Sequence, residues 1–302
     1  MKNTSFKDIS YEKHSEFYKD LNAEAQLNKH KSFFDVKTVD LWRHTRQLEL
    51  IKIYCALYKN SEWLTVGDGG FGTSATYIEM QGSKAVSTDI DTTLLKIAAE
   101  NNLITSFQFA NAEDLPFADG QFDFSFCKQS YHHFPRPIIA VYEMIRVSKK
   151  AIMLVEPADW IPSPFVFRFI QKVKRKLKQI AGLKNPHHEE GSFESVGNYI
   201  YTISEREIEK LAMGIALPCI AFKRFDDFYY TGVETEMMEK MGPLRRKIEN
   251  NIRLNTIKRF LGLSRQNNIM CILFKYCPDE NEKALLRING FNVIELPKNP
   301  YS

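Results

Sequence analysis

From residue 60 to residue 157 the apolar positions change period several times. Short stretches rich in apolar residues fall at 63–66, 85–88, 104–110, 122–127 and 151–155, the last of them unbroken. Between them, apolar residues recur three and four apart at 73–81, 92–101 and 136–147. A short apolar-rich run bounded by turn residues is a strand of a covered sheet, and the three-four recurrence is one face of a helix. Strands and helices in alternation build a parallel sheet covered on both sides, an α/β fold. Ligands in such sheets bind at the carboxyl ends of the strands.

The flanks follow other patterns. Leu41, His44, Leu48, Ile51, Cys55 and Tyr58 keep helical spacing and predict one helix over 41–58 that feeds the first strand. Residues 1–38 read as a partly helical arm, lying over the ligand or simply on the surface. Beyond Pro157, Ser163 and Pro164 start a helix whose apolar face is Val166, Phe169, Ile170, Val173, Leu177 and Ile180. Its other faces carry Arg168, Lys172, Lys174, Arg175, Lys176 and Lys178, a solvated basic face or one meant for an anionic surface. Ser204 and Glu207 form a capping box that starts a helix at 205. Strands are expected at 217–225 and 268–276, a helical stretch over 233–263 broken at Gly242–Pro243, and a short strand at 291–296. The division is an N-terminal helical arm at 1–60, a cofactor-binding core at 61–158, a basic helix and cap with one core strand at 159–264, and a completing strand and tail at 265–302.

Composition narrows the class. A chain of 302 residues with 44% apolar content can bury a large core. No apolar run approaches the ~20 residues that span a bilayer, and the first residues lack a signal-peptide core. Cys55, Cys127, Cys219, Cys271 and Cys277 show no C-x-x-C pair, which suits reduced thiols in the cytoplasm. A net charge of +4 does not argue for nucleic acid. His187, His188, Glu189 and Glu190 form a polar loop with no second ligand pair at metal spacing, so no metal is expected.

The first strand empties into Gly67, Gly69, Gly70 and Gly72, and a helix follows. Such a turn brings backbone N–H groups and a helix dipole to one point, and glycine lets a ligand approach the main chain. Gly67, Gly69 and Gly72 fit G-x-G-x-x-G, and Asp89 ends the next strand, where an acid can take both ribose hydroxyls. A nicotinamide dinucleotide and S-adenosylmethionine both fit so far.

The blocks downstream separate them. Asn111-Ala-Glu-Asp-Leu-Pro-Phe117 is followed by Phe122-Asp-Phe-Ser-Phe-Cys-Lys-Gln-Ser-Tyr-His-His-Phe134, Glu143-Met-Ile-Arg-Val147 and Ile152-Met-Leu-Val-Glu-Pro157. In that order and spacing, residues 63–157 resemble the class I S-adenosylmethionine-dependent methyltransferases, nearest the small-molecule group that includes quinone-pathway enzymes. The resemblance implies a Rossmann-like sheet, parallel with an antiparallel last strand, and helical cap insertions, 231–264 among them. It implies S-adenosylmethionine held by Gly67, Asp68, Gly69, Gly72, Asp89, Ile90, Asn111, Ala112 and the backbone around Cys127 and Lys128. The chain departs from the pattern in three places. Thr65 stands where a strand-end acid is usual, the third glycine falls one place late, and Asn111 replaces the adenine-contacting Asp.

Methyl transfer from a sulfonium asks the protein to orient the nucleophile and exclude water, and an oxygen nucleophile usually needs a base. His132 and His133, just past the fourth strand, are the candidates; the plain alternative is that one packs and the other caps or faces solvent. Glu156 and Asp159 are weaker ones. Trp42, Arg43, His44, Asp226, Asp227, Tyr229 and Tyr230 read as substrate contacts or as packing and surface residues. The basic helix and the cap, similar to methyltransferases of bacterial surface-polysaccharide assembly, favour O-methylation of a phosphorylated or lipid-linked sugar. A cytoplasmic site with peripheral contact to an anionic membrane goes with that reading. A quinone-like lipid is the alternative acceptor, and a nicotinamide oxidoreductase or a non-catalytic cofactor-binding protein are the alternative classes.

Overall fold

The computed structural model describes residues 36–159, 199–239 and 241–298, with Tyr11, Lys176 and Pro300 besides. The expected arm at 1–35 (Tyr11 apart), the basic helix at 163–181 (Lys176 apart) and the histidine loop at 187–190 lie outside the described residues.

In chain order the elements are α1 (Val39–Gln47), α2 (Glu49–Leu57), β1 (Glu62–Val66), α3 (Thr73–Met80), β2 (Lys84–Asp89), α4 (Thr93–Glu100), β3 (Phe107–Phe109) and β4 (Phe122–Lys128). A 3₁₀ turn at Tyr131–His133 precedes α5 (Pro137–Val147) and β5 (Ser148–Pro157). Then come α6 (Glu205–Gly214), β6 (Cys219–Phe225), α7 (Pro243–Phe260), β7 (Asn268–Phe274), α8 (Glu280–Ile288) and β8 (Asn292–Glu295). The strands form one sheet in the order β3-β2-β1-β4-β5-β7-β6-β8. β1 to β5 are mutually parallel, and β7 inserts antiparallel between β5 and β6. β6 therefore runs with the first five, and β8 lies antiparallel along its outer edge. The expected antiparallel last strand is thus two, β7 and β8.

Both sheet faces are dry. On one, Trp63, Phe124, Phe126, Met153 and Met270 pack under α2, α3 and α4. Trp63 is fully buried, 4.7 Å from the Phe124 ring, and its indole N–H donates to Ser61 Oγ at 2.8 Å. On the other, Leu64, Cys127, Ile152, Leu154 and Ile269 pack against α5 and α6. A third, small cluster of Val39, Val233 and Ile248 joins α1 to α7.

Local signals start several helices as the sequence predicts. Ser204 Oγ accepts from Glu207 N at 3.1 Å and caps α6, and Pro137 occupies the first turn of α5. Other expectations need correction. The helix over 41–58 is two, broken at Leu48 (φ −93°, ψ 7°), whose buried side chain keeps the apolar spacing unbroken across the break. Residues 233–239 are turns and not helix, because their backbone bonds to the start of α1. Val39 N donates to Glu236 O at 2.8 Å, Asp40 N to Val233 O at 3.0 Å, and Met238 N to Lys37 O at 2.7 Å. The strand at 104–110 shortens to Phe107–Phe109. α8 was not foreseen, although Asp279 and Glu282 carry the same kind of start signal, with the Asp279 carboxylate accepting from Glu282 N at 2.8 Å.

All five cysteines are free thiols. Among the described residues no helix is long and apolar enough to cross a membrane, and no cluster could hold a metal ion.

Candidate active site

The strand order reverses between β1 and β4, and the functional side chains gather at the carboxyl ends of these strands and their neighbours. The glycine turn after β1 is tight for identifiable reasons. Gly67 has φ +70°, and a Cβ there would sit 2.5 Å from Ser130 Cβ. Ser130 Oγ donates to Gly67 O at 2.5 Å, which ties the β1 and β4 loops together. A Cβ on Gly69 would sit 2.6 Å from the Asp89 carboxyl carbon, whereas Gly70 has nothing within 4 Å. Gly72, at φ +64°, turns the chain into α3.

Thr65, the first departure from the family pattern, is explained by Asp68. The Asp68 carboxylate turns inward and accepts from Ser74 N at 3.1 Å, Ala75 N at 3.0 Å and Thr65 Oγ1 at 2.9 Å. It holds the free N–H groups at the start of α3. The acid expected at position 65 is supplied three residues later, tethered by the threonine that replaced it. Asp68 is therefore a positioning residue of the turn.

Asp89, at the end of β2, accepts from Gly69 N through one oxygen and from Asp91 N through the other, both at 2.9 Å. Each carboxylate oxygen has a second lone pair, enough for the two hydroxyls of a ribose. Burial pushes its pKa up to about 6, against the two backbone donors. Ile90 follows it, partly exposed. Asn111, the other departure, lies after β3. Its Oδ1 accepts from Glu113 N at 2.9 Å and from the Tyr11 hydroxyl at 2.9 Å. The buried Glu113 in turn takes the Arg136 guanidinium, with Nε at 2.7 Å. Ala112, between them, is half-buried in the second core cluster.

At the end of β4, Cys127 is buried and burial raises its thiol pKa, so it is a packed thiol. Burial lowers the Lys128 pKa, opposed by the carboxylates of Asp68, Glu156, Asp40 and Asp227 around it. Its ammonium lies 3.5 Å from His44 Nδ1. Three residues on, the 3₁₀ turn begins and presents His132 and His133, ring centroids 4.0 Å apart. They differ sharply in setting. His132 is 9% exposed and its Nδ1 lies 2.7 Å from Glu156 Oε2. Glu156 is fully buried on β5, and its Oε1 accepts from Ser130 N at 2.9 Å and Tyr131 N at 3.0 Å. His133 is half-exposed. Glu156 thus aims a histidine and is itself closed to solvent. Asp159 accepts from Thr202 Oγ1 at 2.9 Å, a loop tie.

The cap side is knit by charge. Arg43 reaches both oxygens of Asp227, at 3.1 and 2.6 Å, and Asp40 at 2.9 Å. Gln47 Nε2 donates to Asp227 at 2.9 Å, and Asn255 Nδ2 to the buried Asp226 at 2.7 Å. Trp42 and Tyr230 pack on the third cluster, and the Tyr229 ring lies 5.1 Å from the Arg43 guanidinium. Of the candidate substrate contacts on this side, His44 is the one brought beside Lys128. The sequence reading did not single out Ser130 or Tyr11. Ser130 carried a signal, as a hydroxyl directly after the β4 end, but Tyr11 carried none.

Residues 64–155 match the methyltransferase-domain family. This domain is a class I S-adenosylmethionine-dependent methyltransferase. The matched span starts in β1 and ends in β5, so it contains the glycine turn, Asp89, Asn111 and both histidines. Its cofactor is S-adenosylmethionine, and the dinucleotide reading of the glycine turn lapses. Among solved structures, the fold is similar to the YcgJ protein of Bacillus subtilis at 18% identity and a TM-score of 0.50, covering 78% of this chain and all of that one. A putative methyltransferase of Bacillus halodurans aligns at 20% identity and a TM-score of 0.44, over 76% of this chain and 99% of its own. A phosphoethanolamine N-methyltransferase of Haemonchus contortus, bound to S-adenosylhomocysteine, aligns at 13% identity and a TM-score of 0.47, over 77% of this chain and 53% of that one. No curated protein matches the chain.

Proposed function

We propose that this methyltransferase acts on a hydroxyl of a small acceptor, with His132 as general base and Glu156 as the residue that positions it. The observation that carries the reading is the 2.7 Å contact between His132 Nδ1 and a fully buried carboxylate. Such a partner keeps the proton on Nδ1 and makes Nε2 the basic nitrogen. Glu156 cannot drift, because Ser130 N and Tyr131 N hold its other oxygen. His132 then takes the proton of the acceptor hydroxyl, and the surrounding loops exclude water.

When bound, S-adenosylmethionine supplies an electrophilic methyl on a sulfonium. Gly67, Gly69 and Gly72 give it main-chain approach, Asp89 takes the ribose hydroxyls with Ile90 beside it, and Asn111 and Ala112 face the adenine. The backbone at Cys127 and Lys128 lines the methionine end. The acceptor is a sugar or glycan precursor, phosphorylated or lipid-linked, in preference to a quinone-like lipid. An unactivated sugar hydroxyl is a poor nucleophile that requires such a base. The setting is the cytoplasm, at the inner membrane face.

The test is turnover of methyl-labelled S-adenosylmethionine with sugar-phosphate acceptors and with cell extract. His132→Ala should slow turnover ~10²–10⁴-fold and leave S-adenosylhomocysteine affinity unchanged. Glu156→Gln should slow it less and displace the pH–rate profile, which a purely structural role would not do. Wild-type turnover in His132→Ala would end the assignment. Activity on quinones alone would hand the acceptor to the alternative.

A further inference from the structure

The helix α7 carries two apolar stripes. Leu244, Ile248 and Ile252, four apart, face the third core cluster. At 100° per residue, Leu254, Ile257 and Phe260 fall on the opposite side of the helix. They are bare: Leu254 is 52% exposed, Ile257 58% and Phe260 92%, and Leu261 continues the ridge at 61%. Side chains of this size are seldom left contiguous and exposed without a partner.

Charge decides which partner. The segment 243–265 holds seven basic residues and one acidic, a net of +6, while the whole chain carries only +4. Arg246, Arg253, Lys258, Arg259 and Arg265 are all exposed in it. A second copy of the chain seated on this ridge would set six positive charges against six. Nucleic acid would answer the charge and leave the aliphatic ridge unburied. A surface with negative headgroups over acyl chains answers both.

We propose that α7 and the turn after it dock this enzyme on an anionic lipid bilayer, with Ile257, Phe260 and Leu261 entering the headgroup–acyl boundary and the flanking arginines and lysines held at the headgroups. This is the geometry of an interfacial amphipathic helix. The docking surface belongs to the active-site edge. Asn255, on the same helix, bonds Asp226 at the end of β6, and Asp227 next to it pairs with Arg43 near Lys128. Asn255 lies on the side of α7 opposite the exposed ridge, so docking would set the strand-end edge behind this helix, about one helix diameter (~10 Å) from the lipid. The proposal does not depend on His132 being the base.

The experiment is co-sedimentation of the full chain with vesicles of phosphatidylcholine alone and of phosphatidylcholine with phosphatidylglycerol, at low and high salt. Wild type should sediment with the anionic vesicles at low salt and be released by high salt, since each basic residue near such a surface contributes appreciably and is screened. The variants I257S/F260S and R253E/K258E should each lower the partition at least about tenfold. S-adenosylhomocysteine affinity and the thermal midpoint, measured beside them, should stay at wild-type values. Equal sedimentation with neutral vesicles, no sedimentation of wild type, or full retention in either variant would overturn the proposal. A dimer in sedimentation velocity that I257S/F260S abolishes would overturn it in favour of a second copy.

Discussion

At the ends of β1, β2 and β4 the loops are fixed by carboxylates that accept from backbone N–H groups. Asp68 holds Ser74 and Ala75, Asp89 holds Gly69 and Asp91, and Glu156 holds Ser130 and Tyr131. At the end of β6, Arg46 and Asn267 also hold the backbone of Asp226 and Asp227, but the carboxylates there pair with side chains, Asp227 and Asp40 with Arg43, and Asp226 with Asn255. The first arrangement sets the main-chain geometry of the loops that, on our proposal, hold the cofactor. The second sets the position of one helix against another, so a cap built this way can be repositioned by a few side-chain changes without touching the glycine turn. Lys128 is where the two meet, with Asp68 and Glu156 on one side and Asp40 and Asp227 on the other.

The largest effect should come from breaking the cap's ion pair. Arg43 and Asp227 have side chains only 7% and 8% exposed. Arg43→Ala takes from Asp227 and Asp40 the cation bonded directly to both, in a poorly solvated place where, among the described residues, only Lys128 is left near both, a change that costs ~3–5 kcal/mol. Urea unfolding should register that loss, with S-adenosylhomocysteine protection of the core reduced much less. A loss below about 1 kcal/mol would mean that the pair behaves as an exposed one, and that the contrast between the halves is wrong.

This difference also explains what could be read from the sequence. In the core half the determinants are glycines, an acid at a strand end and apolar-rich runs, with Asp89 20 residues from the Gly69 N–H and Glu156 26 from the Ser130 N–H that they hold, and strands and helices fall close to expectation. In the cap half, Arg43 and Asp227 are 184 positions apart and neither differs from any surface charge until the chain is folded. The sequence of 233–239 predicts helix where the structure has a turn, for the same reason. Its glutamates suit a helix, but their carboxylates and carbonyls serve elsewhere, Glu236 accepting from Leu244 N at 2.9 Å and Arg245 N at 2.7 Å to start α7. The two histidines were placed correctly after β4 but could not be told apart. What separates them is Glu156, across the strand pair and 24 residues on.

A second effect, about tenfold per pH unit, sharpens the core side of the comparison. Burial raises Asp89 to about 6, and on our proposal that it takes the ribose hydroxyls, its ionised form is the one that accepts. Protonation therefore competes with the cofactor, and S-adenosylhomocysteine affinity should fall about tenfold for each unit below pH 6. The sign for the fold is opposite. A carboxyl raised from 3.8 contributes most to ligand-free stability below that value and loses its contribution as pH rises through about 6. Weaker binding in acid is thus not unfolding at this residue. Titration calorimetry between pH 5 and 8 measures the slope, and Asp89→Asn should abolish it along with most of the affinity. A flat profile in wild type would place the ribose elsewhere.

The smallest effect concerns the one oxygen that stands where the family has two. An aspartate after β3 could bond the following backbone with one oxygen and the adenine amino group with the other. Asn111 has only Oδ1, and Glu113 N, donating at 2.9 Å, fixes which way the amide faces. One lone pair is left, and the Tyr11 hydroxyl, kept protonated by burial and by the neighbouring Glu113 carboxylate with which it also bonds, lies 2.9 Å from that oxygen. On our reading of Asn111 as the adenine contact, Tyr11 and the cofactor claim the same acceptor. Tyr11→Phe should therefore tighten S-adenosylhomocysteine binding, by the ~0.5–1.5 kcal/mol of one neutral hydrogen bond, roughly 2- to 10-fold. In an Asn111→Asp background the second oxygen ends the competition, and Tyr11→Phe should then change little. Calorimetry on the two single variants and the double variant gives the coupling directly. If Tyr11→Phe weakens binding instead, the hydroxyl works with the cofactor, and Asn111 must meet the adenine through its amide nitrogen.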